Sequence, residues 1–353
     1  MSGDNWGLLG NEWAVNMLRR HIQQDGIRHA YLFSGPPGIG KRSLALRFAK
    51  ALNCPQPPSP GEACRTCRTC KQIEKMQFPD LSVIQAETES RTLKVEQVRN
   101  IQHSLSLKPY QGKYRVALFL RFQETNKEAA NALLKTLEEA PAHAVLILTT
   151  DNVEGLFPTI VSRCENLRLH ALPVESLQSY LQSHDCDPDK ANLLAHLSGG
   201  RTGYAMRLKE DDNFLKERTR WLDEMQAQLS SNRIQRFAYA EKLTKDKKKK
   251  DEALEFLETW GTYWPNELHL ILELWGSFWR DVMLTCSGSS IPLTNIDRVE
   301  QIKALAGKIS LQQARRLVID NEKAMERLDK NVNARLVMEV NLLDWPIERS
   351  TRK

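Results

Sequence analysis

The sequence predicts an α/β fold: a parallel sheet covered by helices and built around a phosphate-binding loop, then a second half made of helices alone. Three observations carry this. A short apolar run, Ala30-Tyr31-Leu32-Phe33, leads into Gly35-Pro36-Pro37-Gly38-Ile39-Gly40-Lys41-Arg42-Ser43, which opens a helical pattern from Leu44 to Leu52. Apolar runs then alternate with helical patterns as far as Leu169, as β-α-β units with parallel strands require. After Pro173 no strand-like run recurs.

The glycine-rich stretch has the order that phosphate binding needs. Glycines let backbone N–H groups close around phosphate oxygens, at a helix N-terminus that already favours anions, and a lysine adds a point charge. Gly35, Gly38, Gly40 and Lys41 supply these parts. One part is out of place. The residue after the lysine ordinarily offers a hydroxyl to magnesium; here it is Arg42, and Ser43 follows one position late.

Taken in order, Trp13, Met17, Leu18 and Ile22 mark an amphipathic helix over residues 11–24 that leads into the first strand. A short helix is expected around Lys71–Met76 and a second strand at Leu81–Ile84. A helix over Lys94–Leu107 and a turn at Tyr110–Lys113 precede the continuous apolar run Val116–Leu120, a buried central strand. Asn126–Glu139 is rich in helix formers, Val145–Leu148 is a fourth strand and Leu167–Leu169 a short fifth. Residues 174–208 read as a small helical bundle, with a break at Leu197-Ser-Gly-Gly200. Further on, Leu268, Ile271, Leu272, Trp275, Trp279 and Val282 step along one helical face. Ser310 with Gln313 forms a capping-box pattern ahead of Leu311, Ala314, Leu317, Val318, Met325 and Leu328. Tryptophans at this spacing are core or subunit-interface residues. Cys286–Pro292 reads as an exposed loop, and the lysine run ending at Lys247–Lys250 as a solvated face.

Four of the seven cysteines cluster: Cys54, Cys64, Cys67 and Cys70. Prolines and glycine disfavour a helix between Cys54 and Gly61, and four thiolates within 17 positions, three at x2 spacing, can converge on one tetrahedral zinc with no open position, as a structural site requires. Arg65, Arg68 and Lys71 would offset its negative charge. The odd cysteine total, with Cys164, Cys186 and Cys286 scattered, argues against a disulfide framework. The chain carries 50 basic against 44 acidic residues, a mild excess compatible with nucleic acid but not evidence for it. No run of about 18 apolar residues appears, so no membrane contact is expected. The N-terminus has no charged-then-apolar leader pattern, which makes the cytoplasm the default location.

Several landmarks therefore stand in order: the loop ending in Gly40-Lys41, the cysteine cluster after its helix, Ala129-Ala-Asn-Ala-Leu-Leu-Lys-Thr-Leu-Glu-Glu139, and Thr159-Ile-Val-Ser162-Arg163-Cys164. Together they resemble the bacterial clamp-loader ATPase family of AAA+ proteins over essentially the whole chain. The resemblance implies an AAA+ base over residues 1–170 with a zinc module at 54–70, a helical lid over 171–209 and an all-α collar over 210–353. It implies as partners the gamma/tau ATPase and delta subunits of DNA polymerase III, the sliding clamp and primer–template DNA.

The departures from the family pattern indicate a subunit that does not hydrolyse ATP. Active members end the third strand in an acidic pair that holds magnesium and orients the attacking water. Leu120 and Arg121 stand there instead, and Glu124 lies further along. Losing that carboxylate costs several kcal/mol of barrier at ~1.4 kcal/mol per tenfold in rate. In the lid, active members place an arginine that touches the γ-phosphate in a Gly-x-x-Arg-Asp/x-Ala pattern; aligning Gly200 and Ala205 puts Gly203 at the arginine's position, with Arg201 and Arg207 out of register. No magnesium site is expected. Thr150 matches the family's γ-phosphate sensor, and Arg163 its finger, which reaches into the neighbouring subunit's site. Taken without the flanking motif, Arg163 would read as paired with a carboxylate at the sheet edge. Two alternatives remain open: an active gamma/tau-type ATPase using Ser43 and Glu124, and a structural subunit that binds ATP without hydrolysis.

Overall fold

The computed structural model describes residues 5–86, 92–245 and 266–346. Lys247–Lys250 lie outside the described residues. The chain divides into two compact units, one of Met1–Leu172 with Arg201–Gly203, the other of Pro173–Gly200 with Tyr204–Lys353.

In the first unit, five parallel strands, β1 (Ala30–Ser34), β2 (Leu81–Ile84), β3 (Arg115–Phe119), β4 (Ala144–Thr150) and β5 (Glu165–Arg168), lie in the order β2-β3-β4-β1-β5. The apolar runs conceal a period of two. Tyr31, Phe33, Val116, Leu118, Val145 and Ile147 enter one core layer; Leu32, Ala117, Phe119, Ala144, Leu146 and Leu148 enter the other. Successive side chains of a strand point to opposite faces, and both faces here are covered, so every position is apolar. Helices α1 (Glu12–Gln23) and α2 (Lys41–Asn53) contribute to the first layer. The short α3 (Arg68–Glu74) follows the cysteine cluster. Helices α4 (Val95–Ser106) and α5 (Lys127–Glu138) contribute to the second layer. Asn126 caps α5 by accepting from the Ala129 N–H at 2.7 Å. A single turn, α6 (Pro158–Val161), precedes β5.

The turn at Tyr110–Gly112 is held by one carboxylate. Asp80, 1% exposed, accepts from the N–H groups of Tyr110, Gln111 and Gly112, each at 2.7 Å. Burial by itself would raise its pKa, but these three donors, with Arg115, hold the carboxyl below its ordinary value. A depressed folded-state pKa contributes stability above the unfolded value and loses it as pH falls through the folded one. Asp80→Ala is therefore expected to cost ~3 kcal/mol at neutral pH and to flatten the acid limb of stability against pH. Urea unfolding at neutral and acid pH measures both, and an unchanged midpoint at neutral pH would refute the assignment.

The second unit contains only helices among its described residues: α7 (Val174–Gln182), α8 (Pro188–Ser198), α9 (Thr202–Glu210, whose first two residues belong to the first unit), α10 (Asp212–Leu229), α11 (Arg233–Lys245), α12 (Glu267–Cys286), α13 (Val299–Ala306), α14 (Leu311–Asp329) and α15 (Ala334–Leu343). Gly199, left-handed at φ 55°, ends α8 as expected. On α12, Ile271, Leu272, Trp275, Trp279 and Val282 are buried and Leu268 is half-buried. Trp345 meets Trp275 and Trp279 edge-on with ring centroids 4.8 and 5.5 Å away, so these tryptophans are core. The Ser310–Gln313 capping box is present, and Ser287–Pro292 is exposed. Arg218, 2% exposed, is paired with the Asp297 carboxylate at 2.7 Å and also donates to Asn295 Oδ1 at 2.6 Å.

Candidate functional site

Because β1 lies between β4 and β5, the glycine-rich loop leaves the sheet beside the end of β4. Ser34 pairs with Thr150, and the next residues, Gly35 and Asp151, are brought alongside. Gly35, Gly38 and Gly40 all have positive φ. At Gly35 a Cβ would also lie 2.8 Å from the Leu169 carbonyl oxygen, so only glycine fits.

Lys41 is buried at the centre of this loop. Its Nζ donates to the carbonyls of Gly35 and Pro36 and to Asp151 Oδ1, the last at 2.7 Å. Asp151 is held in turn by Gln123 Nε2, at 2.7 Å from Oδ2. Burial pushes the Lys41 ammonium below its ordinary pKa, Asp151 opposes this, and the Arg121 guanidinium adds to it. The Asp151 carboxylate occupies the role a phosphate oxygen plays for such a lysine. Thr150 Oγ1 donates to the Asn152 carbonyl at 2.8 Å. Ser43 is exposed, and Arg42, also exposed, donates to Met76 Sδ at 3.2 Å.

At the end of β3, Leu120 is buried and Arg121 pairs with Glu124 at 2.6 Å. Arg121 adopts a left-handed backbone, φ 53°, costing ~1 kcal/mol; its N–H donates to Thr149 Oγ1 at 3.0 Å. Gly203 lies against the loop: a Cβ there would be 2.9 Å from the Gly38 carbonyl oxygen. The backbone approach leaves no room for a side chain where the active family pattern has arginine.

Arg163 follows α6, half-exposed. Its guanidinium donates to Glu138 Oε1, from Nε at 2.9 Å and also from a terminal nitrogen, and to the Thr159 carbonyl at 3.0 Å. In the chain by itself it is therefore tied to the end of α5, in a pair open to solvent.

The cysteine cluster forms a separate site. The sulfurs of Cys54, Cys64, Cys67 and Cys70 all lie within 4.8 Å of one another. A tetrahedral zinc with bonds of ~2.3 Å sets its sulfurs ~3.8 Å apart, and the Cys64–Cys70 separation is 4.0 Å. Cys54, Cys64 and Cys67 each accept a backbone N–H, from Cys64 (3.4 Å), Cys67 (3.3 Å) and Cys70 (3.4 Å) respectively. Such donors favour thiolate; the Cys67 N–H leads in lowering the Cys64 thiol to about 6. Desolvation instead raises Cys54 and Cys70. The donor set fits a metal that takes four thiolates. The module is strapped to the base by Trp6 Nε1 donating to the Gly61 carbonyl (3.0 Å), an Arg19–Glu62 ion pair (2.6 Å) and Gln23 donating to the Pro60 carbonyl (3.0 Å).

The sheet order, the glycine-lysine loop after β1 and the helix-covered faces define a P-loop domain of the AAA+ class. Residues 10–173 match the family described as "DNA polymerase III, delta subunit". The delta' subunit of DNA polymerase III from Bacillus subtilis is 28% identical over 92% of this chain and 93% of its own length. The tau subunits from Salmonella typhimurium and Escherichia coli are 38% and 35% identical over 50% and 58% of this chain. The chain spans only 27% and 32% of their lengths. A gamma-subunit-related protein from Thermotoga maritima aligns over 93% of the chain and 97% of its own, at 15% identity and a TM-score of 0.44. The chain is thus similar to clamp-loader subunits of DNA polymerase III, through the family match at residues 10–173 and through the delta' subunit over nearly its whole length. No described helix is long and apolar enough to cross a membrane.

Three contributors escape a reading of the sequence: Asp151 on Lys41, Gln123 on Asp151, and Glu138 on Arg163. Asp151 directly follows Thr150 at a strand end, which is a signal only once the strand order is known.

Proposed function

We propose that this chain is the delta-prime-type, non-hydrolysing subunit of the bacterial clamp loader, working in the cytoplasm as part of a machine that places the sliding clamp on primed DNA. The observation that carries this reading is the end of β3. Where an ATPase holds its acidic pair, Leu120 is buried and Arg121 is paired to Glu124. The nearby carboxylate, Asp151, is engaged by Lys41. Arg42 and the exposed Ser43 offer no hydroxyl to a metal at the position after the lysine. Arg163 is the group this subunit contributes to chemistry: it turns from Glu138 to the γ-phosphate bound by a neighbouring gamma/tau subunit, stabilising the charge that develops as the phosphoryl group leaves. Cys54, Cys64, Cys67 and Cys70 hold a structural zinc, which fastens the segment between α2 and α3.

The lid spans residues 171–209 and the collar 210–353. Leu336, Val340 and Leu343 stand 57%, 46% and 39% exposed at helical spacing on α15, and Ile234 and Phe237 are exposed on α11, which packs beside it. Such an apolar surface suits burial against the delta and gamma/tau subunits in a ring.

The purified chain is expected to hydrolyse ATP only at background rate, with or without primed DNA and clamp. DNA-stimulated turnover would overturn the reading in favour of a gamma/tau-type motor. Equilibrium dialysis with labelled ATP separates the remaining alternative, a subunit that holds nucleotide without burning it; the engaged Lys41 predicts no binding at micromolar nucleotide.

A further inference from the structure

Arg68, Lys71 and Lys75 step by three and four along α3 and its C-cap, so they share one side of the helix. All three are exposed, and among the described residues none has an ion-pair partner. With Arg65 of the cysteine module and Arg47 and Lys50 of α2, they line a pocket of about 620 Å³. The lining holds one carboxylate, Glu74, which accepts from Arg47 at 3.1 Å and also pairs with Lys50. Lys50 is 2% exposed, an ammonium built into the wall. Glu74 is engaged by the two cations of α2 and does not answer the exposed trio Arg68, Lys71 and Lys75.

The rest of the lining is polar, Gln72 and Gln77 beside Cys70, with no aromatic or aliphatic anchor of the kind a protein partner fills. Multiple cations without a stacking surface suit phosphates and give no base readout.

We infer that this pocket is a binding site for the phosphodiester backbone of DNA, with Arg68, Lys71 and Lys75 at its mouth and Arg47 and Lys50 behind them. The choice of DNA among phosphate-bearing ligands rests on the clamp-loader reading. Binding there is independent of sequence and strongly dependent on salt, because each neutralised phosphate releases condensed counterions.

The test is fluorescence anisotropy of a labelled primer–template duplex with the full chain over a salt series. The triple variant Arg68→Ala/Lys71→Ala/Lys75→Ala is expected to bind at least about tenfold more weakly and to lower the log–log salt slope by about 2 to 3. An equal loss of charge in the helical unit, Lys303→Ala/Lys308→Ala/Lys323→Ala, is expected to leave affinity within about twofold. Equal weakening by both variants, or wild-type affinity in the first, overturns the inference. Titration calorimetry with inorganic phosphate distinguishes the other source: phosphate binding without DNA binding assigns the pocket to a free anion and overturns the DNA reading. Unchanged zinc content in the first variant shows that the module is intact. Co-assembly of the same preparations with a clamp-loader ATPase reports on the subunit reading separately.

Discussion

Arg163→Ala is expected to leave the clamp loader assembled and to lower turnover at the adjoining ATP site by about 10³-fold or more, the range for an arginine supplied in trans. The local cost is small. The Arg163–Glu138 pair has side chains 34% and 49% exposed, and a solvent-exposed pair contributes ~0–1 kcal/mol, so the melting temperature should barely move. Only the site this chain completes is affected, so whole-complex turnover falls by that site's share plus any coupling to the others. Single-turnover hydrolysis in the reconstituted complex, with size-exclusion chromatography to confirm assembly, makes the measurement. Unchanged hydrolysis would remove Arg163 from the chemistry and leave it as a brace on α5. Glu138→Ala separates the two roles further: it frees the guanidinium, so turnover should hold or rise under the finger reading.

Cys64→Ser is expected to abolish binding of a single zinc per chain and to destabilise the first unit by ~3 kcal/mol or more, since loss of a metal is among the few single changes with so large an effect. At the scaling for a unit of this size, the midpoint falls by about 10 °C. The unit should still fold, because Trp6, Arg19 and Gln23 hold the module from the side of α1. Elemental analysis and calorimetry read the two effects. Acid should reproduce the loss, because thiolates must stay deprotonated to bind metal. A metal-free wild-type chain with full stability would refute the zinc assignment.

Much of the fold was legible because its signals are local. Val116–Leu120 and Val145–Leu148 are apolar at every position, which only a strand covered on both faces requires, and the sheet buries both. Helix ends moved by as much as three residues: the helix expected around Lys71–Met76 is Arg68–Glu74, set by Cys67 accepting the Cys70 N–H at its start. The cysteine spacing announced a convergent cluster because three of the four are separated by two intervening residues, so short backbone turns bring them together. The candidate site was less legible. Its members were named from a motif, while the groups that touch them were not.

The sequence alone determined the glycine-lysine loop, the four cysteines, the replacement of an acidic pair by Leu120 and Arg121, and the presence of Arg163 in its motif. Each is a matter of residue identity within a short window. Tertiary structure decided what those residues meet. Asp151 reaches Lys41 across 110 positions because β4 pairs with β1 in the sheet. Arg163 finds Glu138 because α5 packs beside α6. Gly203 lies on the loop because a helix start comes within contact distance of the Gly38 carbonyl. The cations of α2 and α3 share one pocket because the cysteine module folds α3 back beside α2. Charge and hydrogen bonding act over a few ångströms of space, and distance along the chain does not measure that space.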